Sequence, residues 1–455
     1  MKKNAIVKSL LGFGGKLITF VVLSVTGFSL SSMSEFNEAP LVDYSKSLFE
    51  KYENYLETTI THRRFKHKDI VPLIQQLPFE KQVVGKSFEE RDIYQIKLGT
   101  GKTPILLWSQ MHGDEATATM AIFDIFRFFQ AKNDGFDEFR KKILAECTLY
   151  FVPMLNPDGA ERFQRRTATD IDMNRDALRF QTPEGALLRH LQNTLKPEFA
   201  FNLHDQGVRY SAGMSEKQAT ISFLATAYDF DRNWNDVRTR SMQVICQMNS
   251  ILQLFIPGHV AKYSDEHEPR AFGDNIQKWG SSLILIESGG YKTDREKQYI
   301  RKLNFLAILS ALQSVSEKSY TKYQLKDYEA IPNNERYLFD LLIRNAEFEQ
   351  NGKTVVKDIG INLNEKNIEN ATKFVLESTV EDIGDLSTFW GIKEIDAKGL
   401  KVKLPREVAD KLTKFNLKAA QLQNEALNMG EDATFVLEKD GIVKYVVVNG
   451  QLQEN

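Results

Sequence analysis

Residues 103–130, TPILLWSQMHGDEATATMAIFDIFRFFQ, pass from an apolar run into a segment with the residue spacing of a helix. The run TPILLWSQMH predicts a buried strand, and the segment that begins at Glu115 predicts a long helix with one buried face. His112 and Glu115 stand at the junction. They could be two ligands of one metal ion, or a histidine and an acidic residue at a helix start. The stretch therefore predicts a strand–loop–helix unit with a candidate site in its loop.

Short apolar runs recur between helical segments over the first 325 residues. Three of them predict further buried strands: CTLYFVPML (147–155), EFAFNLH (198–204) and SSLILIE (281–287). Strands that are apolar throughout are typical of a sheet covered by helices on both faces. We therefore expect an α/β domain with a mostly parallel sheet over about residues 40–325.

The pattern changes after about residue 326, where β-like segments are separated by polar turns. These segments are KTVVKDIGIN (353–362), GLKVKLP (399–405), ATFVLEKDG (433–441) and VKYVVVNGQL (443–452). The last two are joined through Asp440 and Gly441, a pair that favours a tight hairpin turn. We expect a smaller β-rich accessory domain over residues 330–455.

The composition excludes several classes of protein. A formal net charge of −2 does not fit a strongly basic nucleic-acid-binding protein, so no nucleic-acid partner is expected. Only two cysteines occur, which excludes a disulfide-rich scaffold and a cysteine-based zinc finger. Cys147 and Cys246 could form one disulfide or remain as two buried thiols.

The first 33 residues differ from the rest of the chain. Residues 1–16 contain four lysines, and residues 17–33 are apolar and then rich in small and hydroxyl side chains. This order is typical of a signal peptide, so the protein is expected to be exported, either to the periplasm or out of the cell. The alternatives are an uncleaved N-terminal anchor and a fortuitous extension, and such an anchor is the only membrane contact that we expect.

Polar residues suited to catalysis follow the apolar runs. His112, His204 and Glu287 each stand at or just beyond the end of one run, and Asn156–Gly159 follow another. Ligands of open α/β sheets bind beyond the carboxyl ends of the strands. Two histidines and Glu115 form a donor set suited to Zn²⁺, and a nearby carboxylate could transfer protons. Each residue alone also fits a purely structural role, so the metal hypothesis rests on their coincidence.

Residues 156–176, NPDGAERFQRRTATDIDMNRD, concentrate arginines, namely Arg162, Arg165, Arg166 and Arg175. A guanidinium can hold a substrate carboxylate through two parallel hydrogen bonds. A second guanidinium could stabilise an oxyanion as it forms. The alternative is a solvated basic loop balanced by its aspartates.

Five motifs in this order resemble the zinc carboxypeptidase (metallocarboxypeptidase) family, in the form of a divergent bacterial-type member. They are HGDE (112–115), NPDGAERFQRR (156–166), DMNRD (172–176), FNLHD (201–205) and LILIESGG (283–290). The resemblance covers about residues 85–310 and implies a mixed sheet of about eight strands between helices. It also implies one zinc ion per chain, bound by His112, Glu115 and His204, with Glu287 as general base and acid.

The resemblance further implies how a substrate binds. Asn174 and Arg175 would hold its C-terminal carboxylate, and Arg165 would polarise the scissile carbonyl. Arg166 is a second substrate-binding candidate beside Arg165. Tyr263 is the candidate for the tyrosine that covers the substrate in this family, although Glu268 stands nearer the expected place along the chain.

These features predict a zinc-dependent metallocarboxypeptidase that acts on a peptide or peptide-like substrate with a free C-terminal carboxylate. One alternative is a deacylase or amidase that uses the same zinc core on N-acyl amino acids or cell-wall peptides. Another is a catalytically silent zinc-binding module. The presence of Glu287 argues against the silent module, which has no chemical need for that carboxylate.

Overall fold

The computed structural model describes residues 39–412, 415, 421 and 426–454, and most of its strands fall into two large sheets. In chain order the strands are β1 (Glu80–Lys86), β2 (Asp92–Leu98), β3 (Thr103–Ser109), β4 (Cys147–Val152), β5 (Phe199–Asp205), β6 (Ser211–Ala212), β7 (Ile221–Leu224), β8 (Val260–Lys262), β9 (Ser282–Ser288), β10 (Asn334–Glu335), β11 (Leu338–Gln350), β12 (Lys353–Ile368), β13 (Lys373–Gly384), β14 (Trp390–Asp396), β15 (Lys401–Lys403), β16 (Phe435–Lys439), β17 (Ile442–Val448) and β18 (Gln451–Glu454).

Helices connect the strands of the first sheet. The α-helices are α1 (Ala39–Lys51), α2 (His67–Gln76), α3 (Thr117–Gln130), α4 (Asp137–Glu146), α5 (Pro157–Arg162), α6 (Pro183–Leu195), α7 (Asp236–Leu252), α8 (Phe272–Lys278), α9 (Gln298–Glu317) and α10 (Leu325–Glu329). Short 3₁₀ helices lie at Tyr52–Asn54, Met173–Arg175, Ser319–Lys322 and Pro405–Lys411.

The first sheet has eight strands in the order β1-β2-β4-β3-β5-β9-β7-β8. Its central strands β4, β3, β5 and β9 are parallel, whereas β2 and β7 run antiparallel to β4 and β9. The predicted mixed, mostly parallel sheet of about eight strands is therefore confirmed. Because parallel strands end at the same edge, β3, β5 and β9 bring His112, His204 and Glu287 to one side of the sheet.

Helices cover both faces of this sheet, as the apolar strands predict. Ile105 and Leu107 of β3 pack in the larger core, together with residues of α1, α2, α3, α4, α7 and α9. Leu106 and Trp108 point the opposite way, into a smaller core with residues of α6 and α8. Successive strand residues face opposite sides, so a strand buried on both faces has no polar alternation.

A fully buried ion pair ties α3 to α9. Arg301 Nε and Nη2 donate to the two carboxylate oxygens of Asp124 at 2.7 and 2.5 Å. Asp124 also accepts hydrogen bonds from the Tyr52 hydroxyl and the Glu57 backbone N–H, both at 2.7 Å. Since α3 follows the loop of His112 and α9 follows β9, the pair fixes the two helices behind the candidate site.

Replacing Arg301 by methionine should lower the free energy of unfolding by about 3–5 kcal/mol, because it leaves Asp124 buried without its counter-charge. Arg127→Met is the matched control, since Arg127 is half exposed and lies 3.5 Å from Glu57. An ion pair whose cation is half exposed to solvent contributes at most about 1 kcal/mol. Denaturant unfolding of both variants measures the difference. Equal losses of stability would show that the buried pair has no special role.

The second sheet has the strand order β13-β12-β11-β15-β16-β17-β18, with β14 beside β11. It confirms the β-rich C-terminal region. The predicted hairpin is β16–β17, and Asp440 and Gly441 at its turn have φ angles of 51° and 77°. Positive φ at both central residues is the conformation that favours an Asp-Gly pair.

Ion pairs join the second sheet to the first part of the chain. Asp340 on β11 is buried and accepts from Arg209 and Arg295, each at 2.8 Å. The short strand β10 pairs with β6, which follows β5 in the chain. The described residues form one compact unit. The division into domains at about residues 325–330 therefore stays a prediction.

The two cysteines are buried thiols, so they do not form the disulfide that the sequence left open. Cys147 lies on β4 and Cys246 on α7, and both are free. Burial raises the pKa of each thiol to about 12, which makes both of them poor nucleophiles.

The predicted signal peptide or anchor at residues 1–33 lies outside the described residues. Within the described part of the chain, no helix is long and apolar enough to cross a membrane. Export therefore stays a prediction.

Candidate metal centre

His112, Glu115 and His204 meet in one buried cluster at the carboxyl edge of the first sheet. Glu115 Oε1 lies 2.8 Å from His112 Nδ1, and Glu115 Oε2 lies 2.6 Å from His204 Nδ1. The two Nδ1 atoms are 3.1 Å apart. Tetrahedral zinc with Zn–N bonds of about 2.0–2.1 Å places two ligand nitrogens about 3.3 Å apart. The spacing and the donor set both fit a zinc ion.

The charges of this cluster also suit a divalent cation. Burial alone would raise the pKa of Glu115, but the adjacent His112 and His204 hold it well below its usual range. Burial lowers the pKa of His204, which favours the neutral ring. Burial opposes the charged form of His112 as well, but Glu115 and Asp172 outweigh it and raise the His112 pKa to about 9. The cluster thus presents an ionised carboxylate, while a metal would have to displace a proton from His112.

Asp172 contacts both His112 of the cluster and the neighbouring Arg165. Its Oδ1 accepts from His112 Nε2 at 3.2 Å and from the Asn174 backbone N–H at 2.9 Å. Its Oδ2 lies 3.0 Å from Arg165 Nη2. A carboxylate on the outer N–H of a ligand histidine fixes the ring tautomer and orientation. The sequence predicted no role for Asp172, although it opens the DMNRD motif.

Of the two neighbouring arginine candidates, only Arg165 reaches the cluster. Arg165 Nη1 lies 3.0 Å from His112 Nδ1 and 3.4 Å from Glu115 Oε1. The Arg166 guanidinium turns away and donates to the carbonyl of Asp170 at 2.8 Å. Arg166 does not line the cavity at the cluster, so its placement gives no support to the predicted substrate-binding role.

Residues of the second sheet contact and stabilise the loop that contains Arg165. The Arg64 guanidinium lies between two aromatic rings, 4.1 Å from the centroid of Phe163 and 4.3 Å from that of Phe374 on β13. Asn367 on β12 donates to the carbonyl of Phe163 at 3.1 Å. Phe163 stands two residues before Arg165, so the C-terminal region helps to set the position of this arginine.

The NPDG turn (156–159) lies beside the candidate metal centre but does not line its cavity. A Cβ atom on Gly113 would lie 2.0 Å from the carbonyl carbon of Gly159, so the loop of His112 and the turn approach as closely as two glycines allow. Asn156 accepts from the Gly159 N–H at 2.9 Å and caps α5. Asp158 is buried and binds Arg91 at 2.7 Å. The motif therefore fixes one loop against the other.

Glu287 lies beside the cluster without belonging to the three-residue set. It is paired in register with His204 on the parallel neighbour β5, which places the two residues about 4.8 Å apart across the strands. Its side chain is buried, and burial followed by the charge of Glu115 raises the pKa of Glu287 well above its usual range. The raised pKa favours the protonated form of this carboxyl group.

A cavity of about 300 Å³ opens onto the cluster and contains every predicted site residue except Arg166. Asn174 is held by a hydrogen bond from the Phe272 backbone N–H to its Oδ1 at 2.9 Å, and its carbonyl accepts from Arg175 Nη1 at 2.8 Å. Tyr263 lines the same cavity. Burial, and then the charge of Glu287, raise the pKa of Tyr263 to about 12, so its hydroxyl remains a donor.

The sequence model of the zinc carboxypeptidase family matches residues 78–243. Four of the five motifs lie within this segment, so the match confirms the resemblance, and zinc is the metal on which the family depends. No curated protein matches the chain.

Solved structures of carboxypeptidases resemble the chain at low identity. A metallo-carboxypeptidase from Burkholderia cenocepacia is 15% identical, and the match covers 56% of this chain and 69% of that chain at a TM-score of 0.45. A metallo-carboxypeptidase from Pseudomonas aeruginosa, solved in complex with (2-guanidinoethylmercapto)succinic acid, is 16% identical. That match covers 56% of this chain and 70% of that chain, also at a TM-score of 0.45.

The zinc carboxypeptidase segment contains most of the candidate site. Glu287 and Tyr263 lie beyond residue 243, yet they line the same cavity as the residues within the matched segment. The cavity also includes Tyr210 and Glu266, for which the sequence predicted no role. Both stand in polar loops, where nothing in the sequence marks proximity to the metal centre.

Proposed function

We propose that the protein is a zinc-dependent metallocarboxypeptidase that hydrolyses the C-terminal peptide bond of a peptide or peptide-like substrate. The observation that carries this proposal is one cavity containing a three-residue metal site, a buried carboxyl group and a candidate carboxylate-binding arginine. The family match over residues 78–243 supports the same class of reaction.

His112, Glu115 and His204 would hold the zinc ion. Zinc bound there would act as a Lewis acid, which would polarise the scissile carbonyl and lower the pKa of a water molecule. Glu287 accepts the proton of the attacking water and donates it to the leaving nitrogen. Its burial supports this second step, because burial favours the protonated form of a carboxyl group.

Two arginines bind different parts of the substrate. Arg165, whose Nη1 lies 3.4 Å from Glu115 Oε1, donates to the carbonyl oxygen as negative charge develops on it. Arg175, with Asn174, holds the terminal carboxylate through charge-assisted hydrogen bonds. Tyr263 donates its hydroxyl hydrogen to the bound substrate. Together these contacts would place the last peptide bond beside Glu287.

A substrate panel tests this proposal. The zinc-loaded protein should hydrolyse a peptide with a free C-terminus at a kcat/KM about 10- to 150-fold above that of its C-terminal amide, since a hydrogen bond to a charged group contributes about 1.5–3 kcal/mol. N-acyl amino acids and cell-wall peptides complete the panel. Faster cleavage of those compounds than of any free peptide would favour a deacylase or amidase. No turnover of any compound by the zinc-loaded protein would favour a silent module.

A further inference from the structure

The arginine proposed to hold the substrate's carboxylate already contacts a carboxylate of its own chain. Arg175 Nε lies 3.1 Å from Glu268 Oε2, and both side chains line the cavity at the metal centre. Arg175 Nη1 donates to the carbonyl of Asn174 at 2.8 Å. One of the five donor hydrogens of this guanidinium is therefore used inside the chain, and a carboxylate of the chain lies within ion-pair distance of its Nε.

Glu268 is held in this position by a second arginine. Arg270 Nε and Nη2 donate to Glu268 Oε1 and Oε2 at 2.9 and 2.8 Å, and the Arg270 backbone N–H donates to Oε1 at 3.1 Å. The bonds from Arg270 are the main cause that lowers the pKa of Glu268 to about 2. Glu268 is thus ionised at any pH at which the enzyme is expected to work.

A substrate's carboxylate and Glu268 therefore require the same cation. Arg175, Arg270 and Glu268 together carry one net positive charge, so a second carboxylate can enter. It enters beside a like charge, however, and has to share or take over the donors of Arg175. The three hydrogen bonds from Arg270 to Glu268 do not involve Arg175, so they would persist if Arg175 turned to the substrate.

We propose that Glu268 competes with the substrate's terminal carboxylate for Arg175 and thereby limits how tightly the site binds both the substrate and the released amino acid. This inference rests on the proposed function, because it takes Arg175 as the carboxylate anchor. The released amino acid carries its own carboxylate to the same guanidinium. Glu268 would therefore weaken substrate and product binding by the same factor and help the product to leave.

Two substitutions should change binding in opposite directions. Glu268→Gln removes the competing charge and should tighten binding of a peptide with a free C-terminus by about two- to fivefold, the range expected for a partly exposed ion pair. Arg270→Gln leaves Glu268 with Arg175 as its one guanidinium partner and should weaken binding of the same peptide. In the double variant the effect of Arg270→Gln should shrink, because no competing carboxylate remains. A general loss of positive charge would persist in the double variant.

Calorimetric titration of zinc-loaded protein in a Glu287→Gln background measures these affinities without hydrolysis. The probes are one peptide with a free C-terminus and the same peptide as its amide. Glu266→Gln is the matched control, since Glu266 lines the same cavity, is exposed and forms no ion pair within the described residues. Glu268→Gln should tighten only the free-acid peptide, and Glu266→Gln should change neither.

Two results would overturn the inference, and they are distinguishable. If the free acid binds better than the amide but Glu268→Gln behaves like Glu266→Gln, Glu268 does not compete and the proposed function stands. If every variant, including the background protein, binds acid and amide equally, Arg175 is not a carboxylate anchor. That second result would overturn the proposed role of Arg175 as well as the inference that rests on it.

Discussion

Glu287→Gln should lower kcat by about 10²- to 10⁴-fold while the zinc content stays at the wild-type level. Glutamine keeps the size of the side chain but can neither accept the proton of the attacking water nor pass it to the leaving nitrogen. Glu287 pairs in register with His204 and is not one of the three residues of the metal site, so its replacement leaves those ligands in place.

Steady-state kinetics on a peptide with a free C-terminus, together with metal analysis of the same sample, measures this effect. Glu266→Gln makes the same chemical change at an exposed position of the same cavity and should retain wild-type kcat. Full activity in Glu287→Gln would exclude this residue as the proton carrier. Loss of zinc along with activity would instead assign Glu287 to metal binding.

His204→Ala should reduce zinc affinity by at least about 100-fold and abolish peptide hydrolysis. Loss of a residue that only orients a ligand costs about 10- to 100-fold in metal affinity, and loss of a ligand itself costs more. His204 Nδ1 lies 2.6 Å from Glu115 Oε2 and 3.1 Å from His112 Nδ1, so its removal opens the donor set. His112→Ala should act in the same way.

Competition with a chromogenic zinc chelator measures the affinity of each variant. His190→Ala is the control, because His190 lies exposed on α6 and is not part of the cluster. Circular dichroism confirms that each variant is folded. A His204→Ala protein that is folded and binds zinc as tightly as the wild type would place the metal elsewhere.

The sequence predicted the first sheet well because its strands are buried on both faces. Such strands appear as short apolar runs, and the polar residues that end them mark the edge where ligands bind. His112, His204 and Glu287 could be grouped for this reason before any coordinates were known. The order of the strands could not be read in the same way, since it depends on contacts between residues far apart in the chain.

The second sheet was predicted less completely. Strands β11 and β13 each run for a dozen residues or more, yet neither was recognised as a strand. Only Ser378 and Val380 of β13 are buried, and apolar and polar residues do not alternate regularly along its sequence, so the sequence lacks a clear periodic signal. Pairing with β12 stabilises β13, and this contribution cannot be read from the sequence of β13 itself.

Two contacts at the site could not be predicted from the sequence, because they depend on where the folded chain places the side chains. Arg165 and Arg166 are adjacent in sequence, but only the Arg165 guanidinium lies against the cluster, where it contacts His112, Glu115 and Asp172. Likewise, nothing in the sequence indicated that Glu268 contacts Arg175 across 93 residues of chain. Such contacts depend on how the loops fold, whereas the motifs show only which residues are present.

Mass-spectrometric identification of the products from a peptide of known sequence, with zinc quantified in the same protein sample, tests the central claim most directly. The account predicts about one zinc ion per chain and a product shortened by a single C-terminal residue, with no cleavage after the zinc has been removed by a chelator. Intact peptide in the presence of stoichiometric zinc, or cleavage at an internal or N-acyl bond, would contradict it.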